Sequence, residues 1–342
     1  MASAAMLDRL WQAVERGDGE RVRDLCARGR LDVNGVHSPG DRDGLGCEDT
    51  LLCRAAELGH INIVKTLVSA GAKVDQPSVV GTPLSRAISR GQLATAKFLL
   101  QGLRADPNAR DRCGHSPLYS AVALRWSAPY VRLLVDHGAD VNGRCPSGSS
   151  PLHWAIVGKD RDTVEILIKH GADVESVGYS GFSVLHWAVR ARNTAAVVML
   201  LEAGASPNCQ DMFGETPLHW SARQNKTDIL LLLVESGANM QIRNKFEERP
   251  YNVALPGNME LIKVLMVKMA RGQIGGSPRC LDTVARLPKL RLPRLNTSFN
   301  SKNFWVPPTS QHRYKTPTLF KTGREKSREG TSPSVFDRTL MF

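Results

Sequence analysis

A tetrapeptide that returns at nearly constant intervals constrains this chain more than any other feature. Thr or Ser followed by Pro-Leu-His, or a close variant, begins at Thr50, Thr82, Ser116, Ser150, Ser183 and Thr216, and a looser copy begins at Arg249. The steps are 32, 34, 34, 33, 33 and 33 residues. A second marker keeps the same register: GAKVD at Gly71, GADVN at Gly138, GADVE at Gly171, GASPN at Gly204 and GANMQ at Gly237. Two markers in one register define a repeated supersecondary unit, and the whole fold must be built by stacking it.

Local chemistry reads each unit as a helix pair. A hydroxyl residue before Pro is a helix start: the side chain caps free amides and Pro suits the first helical position. The first helix is short, as in PLHWAIVGK, and the second, as in TVEILIKH (163–170), is richer in apolar residues. Gly171 and its equivalents end the second helix, and Gly114, Gly148, Gly181 and Gly214 supply turns in the extended loop that follows. One unit cannot bury its apolar faces, whereas stacked units can. The expected fold class is therefore all-α, a solenoid of helix pairs with β-hairpin fingers.

At this point the chain resembles the ankyrin repeat family, over roughly residues 7–270. The resemblance is carried by T-P-L-H, the Ala that follows, the apolar second helix and G-A-x-x-N. Residues 1–36 read as an N-terminal cap-like unit, 37–49 (HSPGDRDGLGCED, 13 residues) as an exposed loop, and 50–270 as seven repeats starting near 50, 82, 116, 150, 183, 216 and 249. Residues 249–270 form the C-terminal cap, its first helix shortened by Pro256-Gly257.

The net charge of +12 suggests nucleic acid until it is located. Residues 271–342 hold 14 Lys/Arg and 4 Asp/Glu, a net of +10, which leaves 31 basic and 29 acidic residues, a net of +2, in 1–270. Any electrostatic role belongs to the tail, which carries no nucleic-acid reading motif, so nucleic acid is not the expected partner. The tail is rich in Pro, Ser and Arg and reads as mostly disordered. Ser277-Pro278, Thr316-Pro317 and Ser332-Pro333 fit proline-directed phosphorylation, and FNSKNFW (299–305) offers a docking stretch. No apolar run is long enough to cross a membrane, and the N-terminus lacks the pattern of an export signal. Seven cysteines without a C-x-x-C pair read as reduced thiols, which places the chain in the cytoplasm or nucleus.

His153, His186 and His219 invite a metal or catalytic reading, and geometry rejects it. Equivalent atoms of stacked repeats lie about 10 Å apart, whereas zinc ligands converge within about 2 Å of one point. Each imidazole is expected instead to bond loop backbone and tie one repeat to the next. No G-x-S-x-G, glycine-rich phosphate loop or spaced carboxylate pair is present. No catalytic residue, metal or cofactor is expected, and the chain is not expected to be an enzyme.

Trp154, Trp187 and Trp220 follow these histidines. At about 100° per residue, Trp154 falls about 200° from Leu152, opposite the Leu/Ala face. In this family's solenoid the first helix normally lines the concave face, so the resemblance implies that the tryptophans border a groove. Arg190 and Arg223, three residues after Trp187 and Trp220, can reach the rings or present charge beside them. Two readings stay open: a Trp/Arg groove for a partner peptide, or tryptophans packed against neighbouring repeats with arginines as a solvated rim. The fingertips give a second surface, with Tyr179 and Phe182, Met212 and Phe213, and Phe246 on three successive tips.

These features point to a non-catalytic scaffold or adaptor that binds another protein through groove and fingertips, with the basic tail as a second contact. An alternative rests on PRCLDTVAR (278–286), which is similar to the start of a SOCS box at Pro278, Arg279, Leu281 and Arg286. That resemblance implies elongin and cullin partners and a substrate-adaptor role in a ubiquitin ligase. The segment departs from the pattern with Ala285 at the usual Cys, and Pro288 and Pro293 interrupt the helix that should follow.

Overall fold

A computed structural model describes residues 2–28, 32–37, 49–78, 81–123, 127–178, 181–224 and 226–270. All of them belong to the first of two compact units, Met1–Arg291; the second, Leu292–Phe342, lies outside them, as does the whole tail expected at 271–342.

The described residues form fifteen α-helices, the first fourteen arranged as consecutive pairs. The cap-like unit contributes α1 (Ala2–Arg16) and α2 (Gly19–Arg28). Six pairs follow: α3 (Leu51–Leu58) and α4 (Ile61–Ser69), α5 (Pro83–Ser89) and α6 (Leu93–Lys97), α7 (Pro117–Val122) and α8 (Ser127–Asp136), α9 (Pro151–Gly158) and α10 (Arg161–Lys169), α11 (Val184–Arg190) and α12 (Thr194–Glu202), and α13 (Pro217–Arg223) and α14 (Thr227–Glu235). The last unit contains α15 (Pro256–Ala270) alone, and turns occupy 250–253 where its first helix was expected. The N-cap position there is Arg249, which has no capping hydroxyl, and Pro256 disfavours helix at the residue before it.

The repeat motif does the local work its residues imply. Thr50, Thr82, Ser116 and Ser183 sit in extended backbone and accept from the amides of Cys53, Ser85, Tyr119 and His186, three residues on. The second helices end where the chain turns left-handed at glycine, as at Gly171 (φ +84°). α6 runs into a π-helical turn, Phe98–Gly102. This repeat spans 34 residues, and a π turn lets a helix absorb one extra residue.

A ladder of side-chain bonds locks the stack. The last position of G-A-x-x-N takes an amide of the next repeat: Asn34 from Lys73, Asp75 from Asp106, Asn108 from Asp140, Asn142 from Asp173, Glu175 from Ser206 and Asn208 from Asn239. Where the residue is Asn, its amide also donates to a glycine carbonyl, as from Asn142 to Gly171 at 3.1 Å. At the C-terminal end the fully buried Asn258 donates to the carbonyls of Ser221, Ala222 and Gln224 at 3.1, 3.0 and 2.5 Å. One continuous core runs from Leu10 and Val14 through Leu52, Leu84, Leu118, Leu152, Leu185 and Leu218 to Ile262.

Strand content among the described residues is small. Val36–His37 pairs antiparallel with Asp49–Thr50, and Val177 bridges Ser183. The expected exposed loop 37–49 is thus pinned at both ends, and Asp49 is buried because its carboxylate pairs with Arg86; positions 38–48 lie outside the described residues. The fingers are closed by pairs of turn bonds, such as Asp211 N to Glu215 O and Gly214 N to Asp211 O, both at 2.9 Å. Gly214 (φ +73°) brings one finger onto the next: a Cβ there would lie 3.1 Å from Lys245 N. The Lys245 amide donates to Phe213 O at 2.9 Å.

Candidate functional site on the first helices and fingers

His153, His186 and His219 are fully buried at the third helical position of α9, α11 and α13. The backbone amides of Ser150, Ser183 and Thr216 donate to their Nδ1 atoms at 3.2, 3.3 and 3.1 Å. Nε2 faces a carbonyl of the next finger: Phe182 O at 3.4 Å, Glu215 O at 3.0 Å and Glu248 O at 3.1 Å. An acceptor at Nδ1 and a donor at Nε2 fix the neutral tautomer. Burial pushes all three pKa values down, that of His153 to about 4. Each imidazole is therefore a neutral bridge from its own helix start to the following repeat.

One cluster has the composition of a nucleophile and base. Ser183 Oγ lies 3.1 Å from Cys209 Sγ and 2.9 Å from His186 Nδ1. Burial raises the Cys209 thiol, which disfavours the thiolate that nucleophilic chemistry needs, and it lowers the His186 imidazole. Cys53 is held further from reactivity, its thiol pushed up to about 12, first by burial.

The fifth position of the repeat runs down the first helices as Arg54, Arg86, Ser120, Trp154, Trp187 and Trp220. Its second half is aromatic. Tyr119 meets Trp154 edge-on at 5.7 Å, and Trp154 meets Trp187 at 6.4 Å. Trp187 also stands edge-on to His153 at 5.7 Å, and Trp220 to Phe182 at 5.0 Å and His186 at 5.8 Å. Of the two readings left open for the tryptophans, the packed one fits Trp187, which is only 7% exposed. The helix arithmetic located the indole opposite the Leu/Ala face of its own helix, but the flanking first helices stand close enough to cover it. Trp154 and Trp220 are half-buried. Trp220 donates from Nε1 to Asp211 Oδ2 at 3.1 Å, while the buried Nε1 atoms of Trp154 and Trp187 have no acceptor among the described residues.

Arg223 does not lie free beside Trp220. It forks onto the buried Glu215, with Nη1 2.6 Å from Oε2 and Nη2 on Oε1. Arg190 is partly buried, which lowers its pKa. At the fingers, Phe182 folds back over Trp220 and His186. Met212, Phe213 and Phe246 stay out, at 48%, 44% and 68% exposure. Tyr179 lies outside the described residues.

The first two members of the fifth-position column, Arg54 and Arg86, are ionic, and sequence reasoning missed their network. The buried Arg86 donates to Asp49 Oδ2 at 3.3 Å and to Glu57 Oε2. Glu57 also accepts from Arg90 Nε at 2.6 Å and from Arg54 Nη1 at 3.1 Å, and Arg54 reaches Glu15 at 3.1 Å. Burial raises the Asp49 pKa and Arg86 opposes that rise. The available signal was an arginine at the column position in both LLCRAAELG and PLSRAISR.

A family model described as "Ankyrin repeats (3 copies)" matches residues 10–111, 100–178 and 185–273. Among curated proteins, neurogenic locus notch homolog protein 1 of Xenopus tropicalis is 30% identical over 149 residues, which is 42% of this chain and 6% of that protein. The 26S proteasome non-ATPase regulatory subunit 10 of Dictyostelium discoideum is 35% identical over 101 residues, 29% of this chain and 43% of that protein. The chain thus spans only a minor part of each. Among solved structures, the ankyrin repeat domain of Bcl-3 is matched with a TM-score of 0.59 at 29% identity, over 63% of this chain and 98% of that one. The human ASB11 ankyrin repeat domain is matched with a TM-score of 0.54 at 28% identity, over 67% of this chain and 100% of that one. Such repeats are typically non-catalytic modules that mediate protein–protein interaction, and no described helix is long and apolar enough to cross a membrane. The chain belongs to the ankyrin repeat family.

Proposed function

We propose that this protein is a non-catalytic scaffold or adaptor that holds a partner protein on its C-terminal fingers and on the adjoining first-helix face. The observation that carries the reading is the exposure of Met212, Phe213 and Phe246 on two successive tips that share a backbone hydrogen bond. Fixed backbone beneath exposed aromatic side chains is a preorganised apolar contact, which costs little entropy on binding. Half-buried Trp154 and Trp220 extend the surface along the column, beside Arg190 and the Arg223–Glu215 ion pair. The tail, net +10, supplies a second and salt-sensitive contact. The cytoplasm or nucleus is the fitting compartment, since the five cysteines among the described residues are free thiols.

Affinity purification comparing wild type with Phe213→Ala plus Phe246→Ala tests the proposal. Both rings are exposed, so the variant folds, and partners recovered by wild type should be lost. An unchanged partner set overturns the reading. The second reading, a substrate adaptor of a cullin-RING ubiquitin ligase, rests on residues 278–286, outside the described residues. Co-purification of elongin and cullin, lost on Leu281→Ala, supports it, and no association with wild type rejects it.

A further inference from the structure

The third finger differs from its equivalents in the chemistry of its tip. Its five residues, Asp111-Arg-Cys-Gly-His115, align with Cys145-Pro-Ser-Gly-Ser149, Asp211-Met-Phe-Gly-Glu215 and Asn244-Lys-Phe-Glu-Glu248. A thiol stands where the later tips carry Ser147, Ser180, Phe213 and Phe246, and an imidazole stands where they carry Ser149, Phe182, Glu215 and Glu248. Asp111, Cys113 and His115 each offer one ligand atom, and those atoms all lie within 4.8 Å of one another.

The turn builds this arrangement. Asp111 N donates to His115 O at 3.0 Å and Gly114 N to Asp111 O at 2.9 Å, with Gly114 left-handed at φ +80°. The His115 amide holds Asp111 Oδ1 at 2.8 Å, which fixes the carboxylate and leaves Oδ2 3.6 Å from His115 Nδ1. The imidazole plane is set by stacking on Tyr119, 4.3 Å between centroids. Arg110 crosses to the next finger, donating to Gly114 O at 2.6 Å and Arg144 O at 2.8 Å, so the hairpin is anchored on both sides. Cys113 is exposed, so it can turn inward without repacking anything.

We propose that Asp111, Cys113 and His115 form a three-ligand site for a divalent metal of zinc type, with a fourth position open to water. Ligands at about 2.0–2.3 Å from a tetrahedral ion lie about 3.3–3.8 Å apart, so the Asp111–His115 separation already fits. One soft thiolate, one imidazole and one carboxylate select zinc over calcium or magnesium, which take oxygen ligands. The thiol loses its proton to solvent as the sulfur–metal bond forms, and no redox step is involved. The resulting thiolate and carboxylate offset the neighbouring Arg110 and Arg112. The histidines rejected above as ligands belong to different repeats, whereas these three groups share one hairpin.

The test uses the full chain, reduced and stripped of metal, titrated with zinc against a chromophoric chelator. One equivalent should bind to wild type. Cys113→Ser or His115→Gln should weaken it by more than about tenfold, since even groups that only orient ligands contribute about 10–100-fold. Cys209→Ser, which removes a thiol outside the tip, should leave it unchanged. With cobalt in place of zinc, a thiolate charge-transfer band should appear in wild type and vanish in Cys113→Ser. Absence of a stoichiometric site in wild type, or binding and a band that survive both tip substitutions, overturns the proposal.

Discussion

Acid should loosen this solenoid in a way that one histidine substitution can isolate. His153 is neutral in the folded protein, with its pKa pushed down to about 4 from the ordinary imidazole value of 6.5 by burial and by the nearby Arg144. The unfolded chain therefore binds more protons than the folded one between those two values. Stability is flat above the unfolded pKa, falls as pH drops through the window, and levels off below the folded pKa. At 1.36 kcal/mol per unit, moving from pH 7 to pH 5 removes about 2 kcal/mol through His153 alone. The shifts of His186 and His219 have the same sign and add to the loss. His153→Gln removes the titration while keeping a side chain that can serve the third helical position of a capping box. Urea unfolding followed by circular dichroism at pH 7 and pH 5 should show wild type losing about 2 kcal/mol more than the variant. Because repeat stacks can open in parts, amide exchange in α9 should report the same difference locally. Equal acid losses in both proteins would refute the argument that a buried neutral imidazole links these repeats.

Three further outcomes follow from the packing. Arg86→Ala leaves the buried Asp49 and Glu57 without their shared cation and should cost about 3–5 kcal/mol in chemical denaturation; a loss below about 1 kcal/mol would mean that Arg54 and Arg90 compensate. Trp187→Ala should cost about 3–5 kcal/mol, whereas Phe246→Ala should stay within about 0.5 kcal/mol, and denaturation midpoints that rank them the other way would reverse the division into packing and contact. Gly214→Ala places a Cβ against Lys245 N in a left-handed backbone and should lower the melting temperature by an amount equivalent to about 1–2 kcal/mol; an unchanged melting temperature would show that the fingers tolerate separation.

Much of the architecture was legible in the sequence because its causes are local. A hydroxyl before Pro caps a helix, a glycine ends one, and their 33-residue period forces units to stack. A group repeated once per unit, such as His153, His186 and His219, is expected to bond within the unit or to its neighbour, and their ring nitrogens face their own helix start and a carbonyl of the next finger. Tertiary structure alone decided what depends on the distance between units. Helix periodicity gave the direction of Trp187 but not its burial, which needs the adjacent first helices. It placed Arg223 near Trp220, yet Glu215 on the finger of the same repeat takes the guanidinium. Asp49, Glu57 and Arg86 read as scattered charges in the chain and become one buried network only when α3 and α5 stand side by side. Sequence fixes the period and the ends of each helix because those interactions span a few residues. Which side chains are covered, paired or left outside depends on contacts a full repeat away, and only the stack brings them together.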